Sequence, residues 1–342
     1  MRVFYPDRIV NRHVGGNTTY ALAIREGLRA RGITTGAMPS GPHPSLTLLA
    51  ETAYGLTSRP GDVLHYSADT GPLIKTKAAS VVTVHGVASR WIDVARTPRQ
   101  EKVWRYRVQR AIDSTDALIT VSQSAADDVS EVFGVDRSSI RVIPHGMDVE
   151  GFQAPTALSA ELRVRLPGAF ALYLGNIEPR KNLIELVRAF QRPEIRSLGI
   201  PLVLAGKPAW NFAEAMETIA RADNVIHAGF VSNEDRIALM QACTVFAFPS
   251  LYEGFGLPVL EAMAAGAPVV SSRRGSLAEV AGPSRIFEAL DAEGLGAELE
   301  RAITDEVWQR EARSTGPTWA RNFSWDRSIE AHIEVYEKAL SA

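Results

Sequence analysis

The chain has 342 residues, of which 46% are hydrophobic and 22% charged, enough for two domains with buried cores. Its net charge of −2 provides no electrostatic attraction for nucleic acid, so we expect no nucleic-acid partner. Cys243 is the single cysteine and cannot form an internal disulfide, which suits a reducing compartment. The N-terminus lacks the apolar run of a signal peptide, and no run of apolar residues is long enough to span a membrane. We therefore expect a soluble, cytoplasmic protein.

Short apolar runs alternate with helical patterns along the first half of the chain. The apolar runs predict strands at 3–5, 62–65, 80–85, 117–121 and 140–143. The helical spacing of apolar residues predicts helices over 18–30, 99–112 and 124–133. Strands that alternate with helices in this way are typical of a parallel, doubly wound sheet.

The same alternation restarts after a proline-containing stretch at 148–167, which we interpret as the linker region. Further strands are predicted at 170–175, 201–206, 225–227, 245–248 and 268–271, and a helix over 182–190. The sequence therefore predicts two α/β domains of similar build, 1–155 and 165–322, with a cleft between them. The last segment, 323–342, contains a predicted helix that could pack on either domain, and packing back on the first is our expectation.

The stretch 249–266 combines two carboxylates with a glycine-rich turn. Glu253 lies on the turn, and Glu261 lies about one turn into a helix that Pro258 can begin without losing a needed N–H. Gly254 and Gly256 allow the backbone to approach a ligand closely and to direct free N–H groups at it. Amides at a helix start suit a phosphate, and a carboxylate one turn further suits a pair of ribose hydroxyls. This pattern predicts a site for a sugar nucleotide.

The order of motifs resembles that of glycosyltransferase family 4. The matching pieces are Gly15-Gly16, Val84-His85 and the segments 143–148, 174–182, 227–231, 249–266 and 275–280. The resemblance covers almost the whole chain and is densest over 170–282. It implies the α/β GT-B fold, in which two Rossmann-like, doubly wound parallel-sheet domains face each other across a cleft. The first domain would bind the acceptor and the second the nucleotide-sugar donor. Within the family the chain is most similar to bacterial mannosyltransferases and related enzymes of surface-polysaccharide synthesis.

The resemblance implies four catalytic residues. Lys181 matches the lysine that the family uses on the diphosphate, and Arg180 stands beside it, so both could stabilise the charge that gathers on the leaving group. His85 would lie close to the reacting sugar and the acceptor, and Glu253 would contact hydroxyls of the transferred sugar. Many relatives have an arginine where this chain has Asn176. Either Arg180 compensates for that difference or Lys181 acts nearly alone.

The resemblance also implies a set of donor-binding residues. Glu261 would accept hydrogen bonds from the ribose, and Phe230 and Val231 would touch the base through backbone atoms. The glycine loop in the first domain could close over the diphosphate. The remaining contacts are backbone groups of the second domain's turn that bind sugar and phosphate oxygens. In full, the donor-binding residues are Gly15, Gly16, Phe230, Val231, Gly254, Phe255, Gly256, Leu257 and Glu261.

We expect neither a metal ion nor a cofactor, since the nucleotide sugar is a substrate. The seven histidines show no zinc-like spacing with the cysteine, and no D-x-D triplet is present. The predicted function is therefore retaining, metal-independent transfer of a hexose, with mannose favoured. The donor would be a nucleoside-diphosphate sugar, with GDP favoured over UDP, and the acceptor a glycan, a lipid-linked sugar or a small molecule.

Two other functions and one further partner stay open. A GT-B sugar-nucleotide 2-epimerase would need acid and base groups around the sugar, and a non-catalytic nucleotide-binding partner subunit would keep the fold without turnover. The stretch from Arg99 to Arg110 mixes cations with Trp104 and Val108. We favour a surface helix that packs these two apolar residues inward over peripheral contact with the inner face of the membrane. Liposome flotation with and without acidic lipid would decide between them.

Overall fold

The computed structural model describes residues 1–11, 15–92 and 97–342 of the chain. The chain forms two compact units: unit 1 comprises Met1–Gly146 and Phe323–Ala342, and unit 2 comprises Met147–Asn322. Each unit is built on its own parallel sheet with helices connecting the strands. The alternation of strand and helix in the sequence explains this architecture, because parallel neighbours require crossover connections.

Within the described residues, unit 1 has a six-stranded parallel sheet. Its strands are β1 (Arg2–Pro6), β2 (Thr34–Met38), β3 (Asp62–Tyr66), β4 (Ala79–Val84), β5 (Ala117–Thr120) and β6 (Ile140–Val142). They lie in the order β2-β1-β3-β4-β5-β6. Its first helices are α1 (Asp7–Val10), α2 (Gly16–Ala30), α3 (Pro44–Thr57), α4 (Pro98–Ser114) and α5 (Gln123–Phe133).

Unit 2 repeats this plan, again with six strands in the described chain. Its strands are β7 (Ala171–Leu174), β8 (Leu202–Ala205), β9 (Val225–Gly229), β10 (Val245–Phe248), β11 (Val269–Ser271) and β12 (Arg285–Ile286), in the order β12-β11-β10-β7-β8-β9. Its helices begin with α6 (Val149–Gln153), α7 (Ala160–Arg165), α8 (Leu183–Gln191), α9 (Pro193–Arg196), α10 (Ala213–Ala220) and α11 (Asn233–Ala242). They continue with α12 (Leu257–Ala264), α13 (Leu277–Val280), α14 (Ala292–Thr304) and α15 (Glu306–Ala320). The stretch 148–167, interpreted as a linker, thus contains two short helices.

The C-terminal helix α16 (Trp325–Ser341) belongs to unit 1, where it packs against α2 and β4. Ile329, Val335 and Tyr336 lie in the hydrophobic core of that unit. The two helices approach closely at Gly27, because a Cβ there would lie 2.0 Å from Cδ1 of Ile329. Helix α16 is therefore an integral part of the core of unit 1.

A buried polar network also ties α16 to the sheet of unit 1. His332 Nδ1–H donates to the Ser328 carbonyl (2.6 Å), so its Nε2 accepts from the Tyr20 hydroxyl (2.6 Å). Tyr336 is hydrogen-bonded to Nδ1 of His65 at 2.8 Å. Thr83 joins the two branches, with its hydroxyl 2.9 Å from that of Tyr20 and 2.8 Å from Nε2 of His65. Burial lowers the pKa of His332 to about 4, so the imidazole is neutral near pH 7.

Each sheet has a point at which the direction of winding reverses. In unit 1 the chain passes from β1 to β2 on one side and then places β3 on the other side of β1. In unit 2 it passes from β7 through β8 to β9 and then places β10 on the free side of β7. Doubly wound sheets bind ligands just beyond the carboxyl ends of the strands at such a point. The loops after β7 and β10 are therefore the first place to examine in unit 2.

Candidate active site

The loops after β7 and β10 are joined to each other through the backbone. The β7 loop ends in a short 3₁₀ turn, Pro179–Lys181, and the β10 loop begins at Pro249. The Leu251 N–H donates to the carbonyl of Arg180 at 2.8 Å. A second hydrogen bond joins the two loops, in which Nη1 of Arg180 donates to the Tyr252 carbonyl at 3.2 Å. The two motifs that sequence reasoning assigned to donor chemistry are thus held side by side.

Three of the predicted catalytic residues form one buried ionic cluster. Lys181 Nζ lies 2.6 Å from Oε1 of Glu253, and Arg180 Nη1 lies 2.6 Å from Oε2 of the same carboxylate. Glu178 adds a second carboxylate, with its Oε1 2.5 Å from Nε of Arg180. Lys181 is only 4% exposed and Glu253 only 6%. Lys181 and Glu253 are therefore buried charges and not solvated surface groups.

The charges in this cluster shift the pKa values of one another. Burial acts to raise the pKa of Glu253, but Arg180 and Lys181 outweigh it and lower the value to about 2. Burial likewise disfavours the charged form of Arg180, and Glu253 and Glu178 overcome it, so the pKa of Arg180 is raised. The pKa of Lys181 is lowered, first by burial and then by the neighbouring Arg180, against the pull of Glu253. The charged form of Lys181 is therefore the one that a further anion would stabilise most.

Both cations keep hydrogen-bond donors for a ligand. Within the described residues, Lys181 uses one of its three N–H groups to bond Glu253. Arg180 donates hydrogen bonds from Nη1, and its Nε lies in the ion pair with Glu178. The Lys181 ammonium also lies 4.7 Å from the ring centroid of Phe248, the last residue of β10. The cluster can therefore accept a phosphate oxygen without giving up its internal ion pairs.

The backbone of Glu253 is fixed from the neighbouring loop. Both the N–H and the hydroxyl of Ser276 donate to the Glu253 carbonyl, at 3.1 and 3.0 Å. The close approach requires Gly275, which has a φ of +60°, and a Cβ there would lie 2.6 Å from the same carbonyl oxygen. The segment 275–280, which is one of the pieces that carry the family resemblance, thus holds the backbone of Glu253 in place.

Glu261 lies on α12 as the sequence predicts, and it is buried, with 6% of its surface exposed. Gly256 caps the helix with a φ of +100°, and a Cβ there would lie 2.6 Å from Cδ2 of Leu277. Sequence reasoning missed the partner of Glu261. Arg236, on α11, places its Nη1 2.5 Å from Oε1 of that carboxylate. Only the packing of α11 on α12 brings the pair together, and no motif links the two residues.

The remaining donor-binding residues of unit 2 lie along the same edge of the sheet. Phe230 and Val231 follow β9, and the Phe230 side chain is 64% exposed with Lys207 Nζ 4.2 Å from its ring centroid. Gly254, Phe255 and Leu257 lie in the turn and first helical position after Glu253. Because all the strands are parallel, these groups share the carboxyl edge with the ionic cluster.

In unit 1 the predicted site residues lie in two places, after β4 and at the start of α2. His85 follows β4, where its Nε2–H donates to the Ser67 carbonyl (2.9 Å) and its backbone N–H to Oδ1 of Asp69 (2.9 Å). Gly15 is the N-cap of α2 with a φ of +107°, and Gly16 is the first residue of that helix. The structure therefore gives His85 a fixed orientation, and its chemical role stays a prediction.

The stretch from Arg99 to Arg110 lies on α4. Val108 is buried and the Trp104 ring centroid lies 6.1 Å from that of Phe133, so the inward packing we favoured is present. Val103 and Tyr106 are exposed on the other side of the helix. No helix in the described ranges combines the length and the hydropathy needed to cross a bilayer. Peripheral membrane contact stays a prediction.

Among the residues that the structure describes, no group of three or more histidine, cysteine, aspartate or glutamate side chains is arranged to hold a metal ion. The charged groups at the carboxyl edge of unit 2 are instead paired cations and carboxylates. Such an arrangement can bind an anion with its spare N–H donors and hydroxyl groups with its carboxylates.

Comparison with known proteins identifies the family. A model described as "Glycosyl transferases group 1" matches residues 156–318, and one described as "Glycosyltransferase Family 4" matches residues 56–150. An MMP alpha-(1->4)-mannosyltransferase from Mycolicibacterium hassiacum is 32% identical over 327 residues, which covers 88% of this chain and 76% of that protein. The chain belongs to the group 1 glycosyltransferases. The resemblance to family 4 is confirmed.

This glycosyltransferase also has relatives that are much longer. The serotype-specific mannosyltransferase WbdA of Escherichia coli is 33% identical over 241 residues, which is 67% of this chain but only 30% of WbdA. Among solved structures, sucrose-phosphate synthase from Thermosynechococcus elongatus matches with a TM-score of 0.77 at 20% identity, covering 100% of this chain and 99% of that one. HepE from Anabaena, in complex with UDP-glucose, matches with a TM-score of 0.75 at 18% identity, covering 98% and 100%. These likenesses confirm the predicted GT-B fold class of two doubly wound parallel sheets.

Proposed function

We propose that this glycosyltransferase moves a hexose from a nucleoside-diphosphate sugar to a glycan, a lipid-linked sugar or a small-molecule acceptor. The observation that carries the proposal is the buried cluster of Lys181, Arg180 and Glu253 at the winding reversal of unit 2. Mannose is the favoured sugar, because the relatives from Escherichia coli and Mycolicibacterium hassiacum are named mannosyltransferases. We favour GDP as the nucleotide of the donor. UDP is the second candidate, because HepE was solved with UDP-glucose.

The cluster supports catalysis by charge stabilisation. Negative charge gathers on the diphosphate as the bond to the sugar breaks, and N–H donors fixed in a site of low water content stabilise that charge strongly. Lys181 and Arg180 supply such donors, and the amides at the start of α12 supply more. We therefore propose a reaction that needs no divalent metal. Glu261 would bind the ribose hydroxyls, and Glu253 would bind hydroxyls of the transferred sugar.

We further propose that transfer retains the anomeric configuration by attack on the same face of the sugar. A double displacement would require a carboxylate with a free oxygen close to the anomeric carbon. Both oxygens of Glu253 accept hydrogen bonds from cations, which favours a holding role over a nucleophilic one. The leaving phosphate oxygen would then take the proton of the acceptor. Trapping a covalent glycosyl group on Glu253 would contradict this mechanism.

The decisive test replaces Lys181 by alanine and compares the variant with Lys338→Ala, which removes an exposed lysine of unit 1. Turnover of GDP-mannose and UDP-glucose is measured with and without EDTA, and NMR gives the anomer of the product. We expect Lys181→Ala to lower kcat by about 10²–10³-fold, because a preorganised contact made in the transition state is lost. The control and the EDTA arm should retain activity. A change confined to the KM of the acceptor would show that Lys181 does not act on the donor.

The two other functions give different outcomes in the same assays. A 2-epimerase would convert the donor with no acceptor present, which product analysis of the donor alone detects. A non-catalytic subunit would show a nucleotide-dependent rise in Tm with no turnover of any donor. The intact set of Lys181, Glu253 and Glu261 favours transfer over both.

A further inference from the structure

A second charged cluster lies in unit 1, at the carboxyl ends of β1 and β3. These are the two strands that flank the winding reversal of that sheet. Arg8, just after β1, donates from Nε to Oε1 of Glu51 (2.9 Å) and from Nη2 to the hydroxyl of Thr70 (3.2 Å). Glu51 is contributed by α3 and is 1% exposed, whereas the Arg8 side chain keeps 29% of its surface accessible. A solute can therefore reach the arginine but not the carboxylate.

The cluster carries more positive than negative charge. Arg107, on α4, is partly buried, and its pKa is lowered by burial and then by Arg8, while Glu51 acts in the opposite direction. Helix α4 packs on the same loop as the cluster, because Ala111, one turn after Arg107, has its Cβ 3.2 Å from where a Cβ of Gly71 would lie. Two guanidinium groups thus act on one carboxylate. Across the described ranges Arg107 has no hydrogen bond or ion pair, and its Nε is fully buried. A guanidinium in this state is costly unless an anion completes the site, because desolvation and like-charge repulsion act together.

Unsatisfied hydroxyl groups lie beside the cluster. The hydroxyl of Tyr66, the last residue of β3, is buried and has no hydrogen-bond partner among the described residues. The Tyr66 ring packs against Gly71, the residue after the Thr70 that Arg8 contacts, since a Cβ on Gly71 would lie 3.3 Å from Cγ of Tyr66. Burial, and then the charge of Glu51, raise the pKa of Tyr66. The hydroxyl of Ser67 is also buried without a partner in the described chain. An unmade bond of this kind costs about 1–3 kcal/mol, so a ligand that made it would bind more tightly.

The same loop connects this cluster to His85. The loop residue Ser67 accepts a bond from His85 Nε2, and Asp69 accepts one from the His85 backbone. Asp69 has a φ of +60°, a conformation rare outside glycine, and its own N–H is held by the Thr83 carbonyl at 2.9 Å. The next residue, Thr70, is the one that Arg8 contacts. One loop is therefore hydrogen-bonded both to the predicted catalytic histidine and to the arginine cluster.

We propose that Arg8 and Arg107 form an oxyanion-binding site in unit 1 that recognises a phosphate or carboxylate group carried by the acceptor. This inference rests on the proposed transfer function for the identity of the ligand as acceptor. Guanidinium groups bind both oxyanions through paired N–H donors. A ligand with one negative charge would balance the two arginines against Glu51, and the Tyr66 hydroxyl would supply an additional donor. The acceptor of this enzyme is therefore acidic.

The experiment measures the binding of two probes, inorganic phosphate and glucuronate, by calorimetry with GDP present in excess. GDP fills the anion site of unit 2, so the probes report on unit 1. We compare the natural chain with Arg107→Gln and with Arg105→Gln. Arg105 lies on the same helix, has 43% of its side chain accessible and is already paired with Glu101 at 2.6 Å. We expect Arg107→Gln to weaken the binding of the preferred probe at least tenfold and Arg105→Gln to change it less than twofold. If inorganic phosphate binds more tightly than glucuronate, the acceptor is phosphorylated. If glucuronate binds more tightly, the acceptor carries a uronate.

Tyr66→Phe provides a variant that should fold, since it removes a hydroxyl without a partner. We expect its Tm to be unchanged or higher and its affinity for the probe to fall about three- to tenfold, a result that a merely structural tyrosine would not produce. If neither probe binds the natural chain, or if Arg107→Gln and Arg105→Gln bind them equally well, the oxyanion site is wrong. A failure of both GDP and UDP to bind would instead overturn the proposed function of unit 2. The comparison of Arg107→Gln with Arg105→Gln tests the oxyanion site independently of that result.

Discussion

Replacing Glu253 by glutamine would remove the carboxylate that Lys181 and Arg180 share while preserving its size. Arg180 keeps Glu178 as a partner, whereas Lys181 is left with no ion pair among the described residues. The lowering of the Glu253 pKa from 4.5 to about 2 corresponds to about 3 kcal/mol of stability at neutral pH. Breaking a buried ion pair typically costs about 3–5 kcal/mol, which is consistent with that figure. We therefore expect Glu253→Gln to destabilise unit 2 by about 3 kcal/mol.

The assay is thermal unfolding with and without GDP. For a unit of this size, about 3 kcal/mol corresponds to a fall in Tm of about 6–12 °C. Excess GDP should restore much of this loss, because its diphosphate supplies the negative charge that glutamine lacks, and GDP should therefore raise the Tm of the variant more than that of the natural chain. Turnover should stay at least 100-fold lower, since glutamine cannot orient the transferred sugar as the carboxylate does.

The control is Glu217→Gln, which removes an exposed carboxylate of α10 paired with Arg221 four residues away. Such a surface pair is worth at most about 1 kcal/mol. The pH dependence provides an independent check. The folded-state pKa of Glu253 is depressed, so its contribution is present above pH 4.5 and is lost as the pH falls toward 2. If Glu253→Gln were as stable as Glu217→Gln, or if GDP protected the natural chain more than the variant, the reasoning about this cluster would be wrong.

Three further predictions follow from other parts of the structure. Arg236→Gln should leave Glu261 unaligned, so calorimetry should show at least tenfold weaker GDP binding and less discrimination against 2′-deoxy-GDP. His332 should by itself cost unit 1 about 3 kcal/mol of stability as the pH falls from 6.5 to 4, because its imidazole gains a proton in the unfolded chain that the folded state excludes. Buried His65 and His145, whose pKa values are also lowered by burial, should add to this loss, and in His332→Gln the slope of Tm against pH should be smaller. Gly256→Ala should lower stability by about 1–3 kcal/mol in denaturant titrations, since alanine is strained at this φ and meets Leu277.

Each of these has a matched control. Arg221→Gln removes an exposed arginine of unit 2 and should leave GDP affinity and ribose discrimination unchanged. His43→Gln replaces an exposed histidine of unit 1 and should keep the natural pH slope. Gly168→Ala faces open space and should be nearly neutral. Equal effects in a variant and its control would remove the structural basis of that prediction.

The sequence predicts the local features of the site well. Pro258 and Gly256 define the start of α12, and their spacing fixes the position of Glu261 within it. The fold class could be predicted because buried parallel strands produce apolar runs that helical patterns separate. Strand β2 was not predicted, since its residues are mostly partly exposed and contain no such run.

The partners of the site residues could not be predicted in the same way. Lys181 and Glu253 are 72 positions apart, and both were expected to contact the donor rather than each other. Arg236 and Arg107 belong to no motif, and their positions depend on how one helix packs against its neighbours. Long-range pairing of this kind follows from tertiary structure, which local patterns do not encode. The chemical roles assigned to His85, Glu261 and the glycine loop at Gly15 stay predictions.

The membership of α16 in unit 1 has a consequence for how the chain is made. Unit 2 is complete when residue 322 has been synthesised, but unit 1 still lacks the helix that supplies Tyr336 and His332 to its interior. During translation the first unit therefore stays incomplete, with Tyr20 and His65 each lacking one hydrogen-bond partner, until the whole of the later unit has been synthesised. The part of the protein that is synthesised first is the part that matures last.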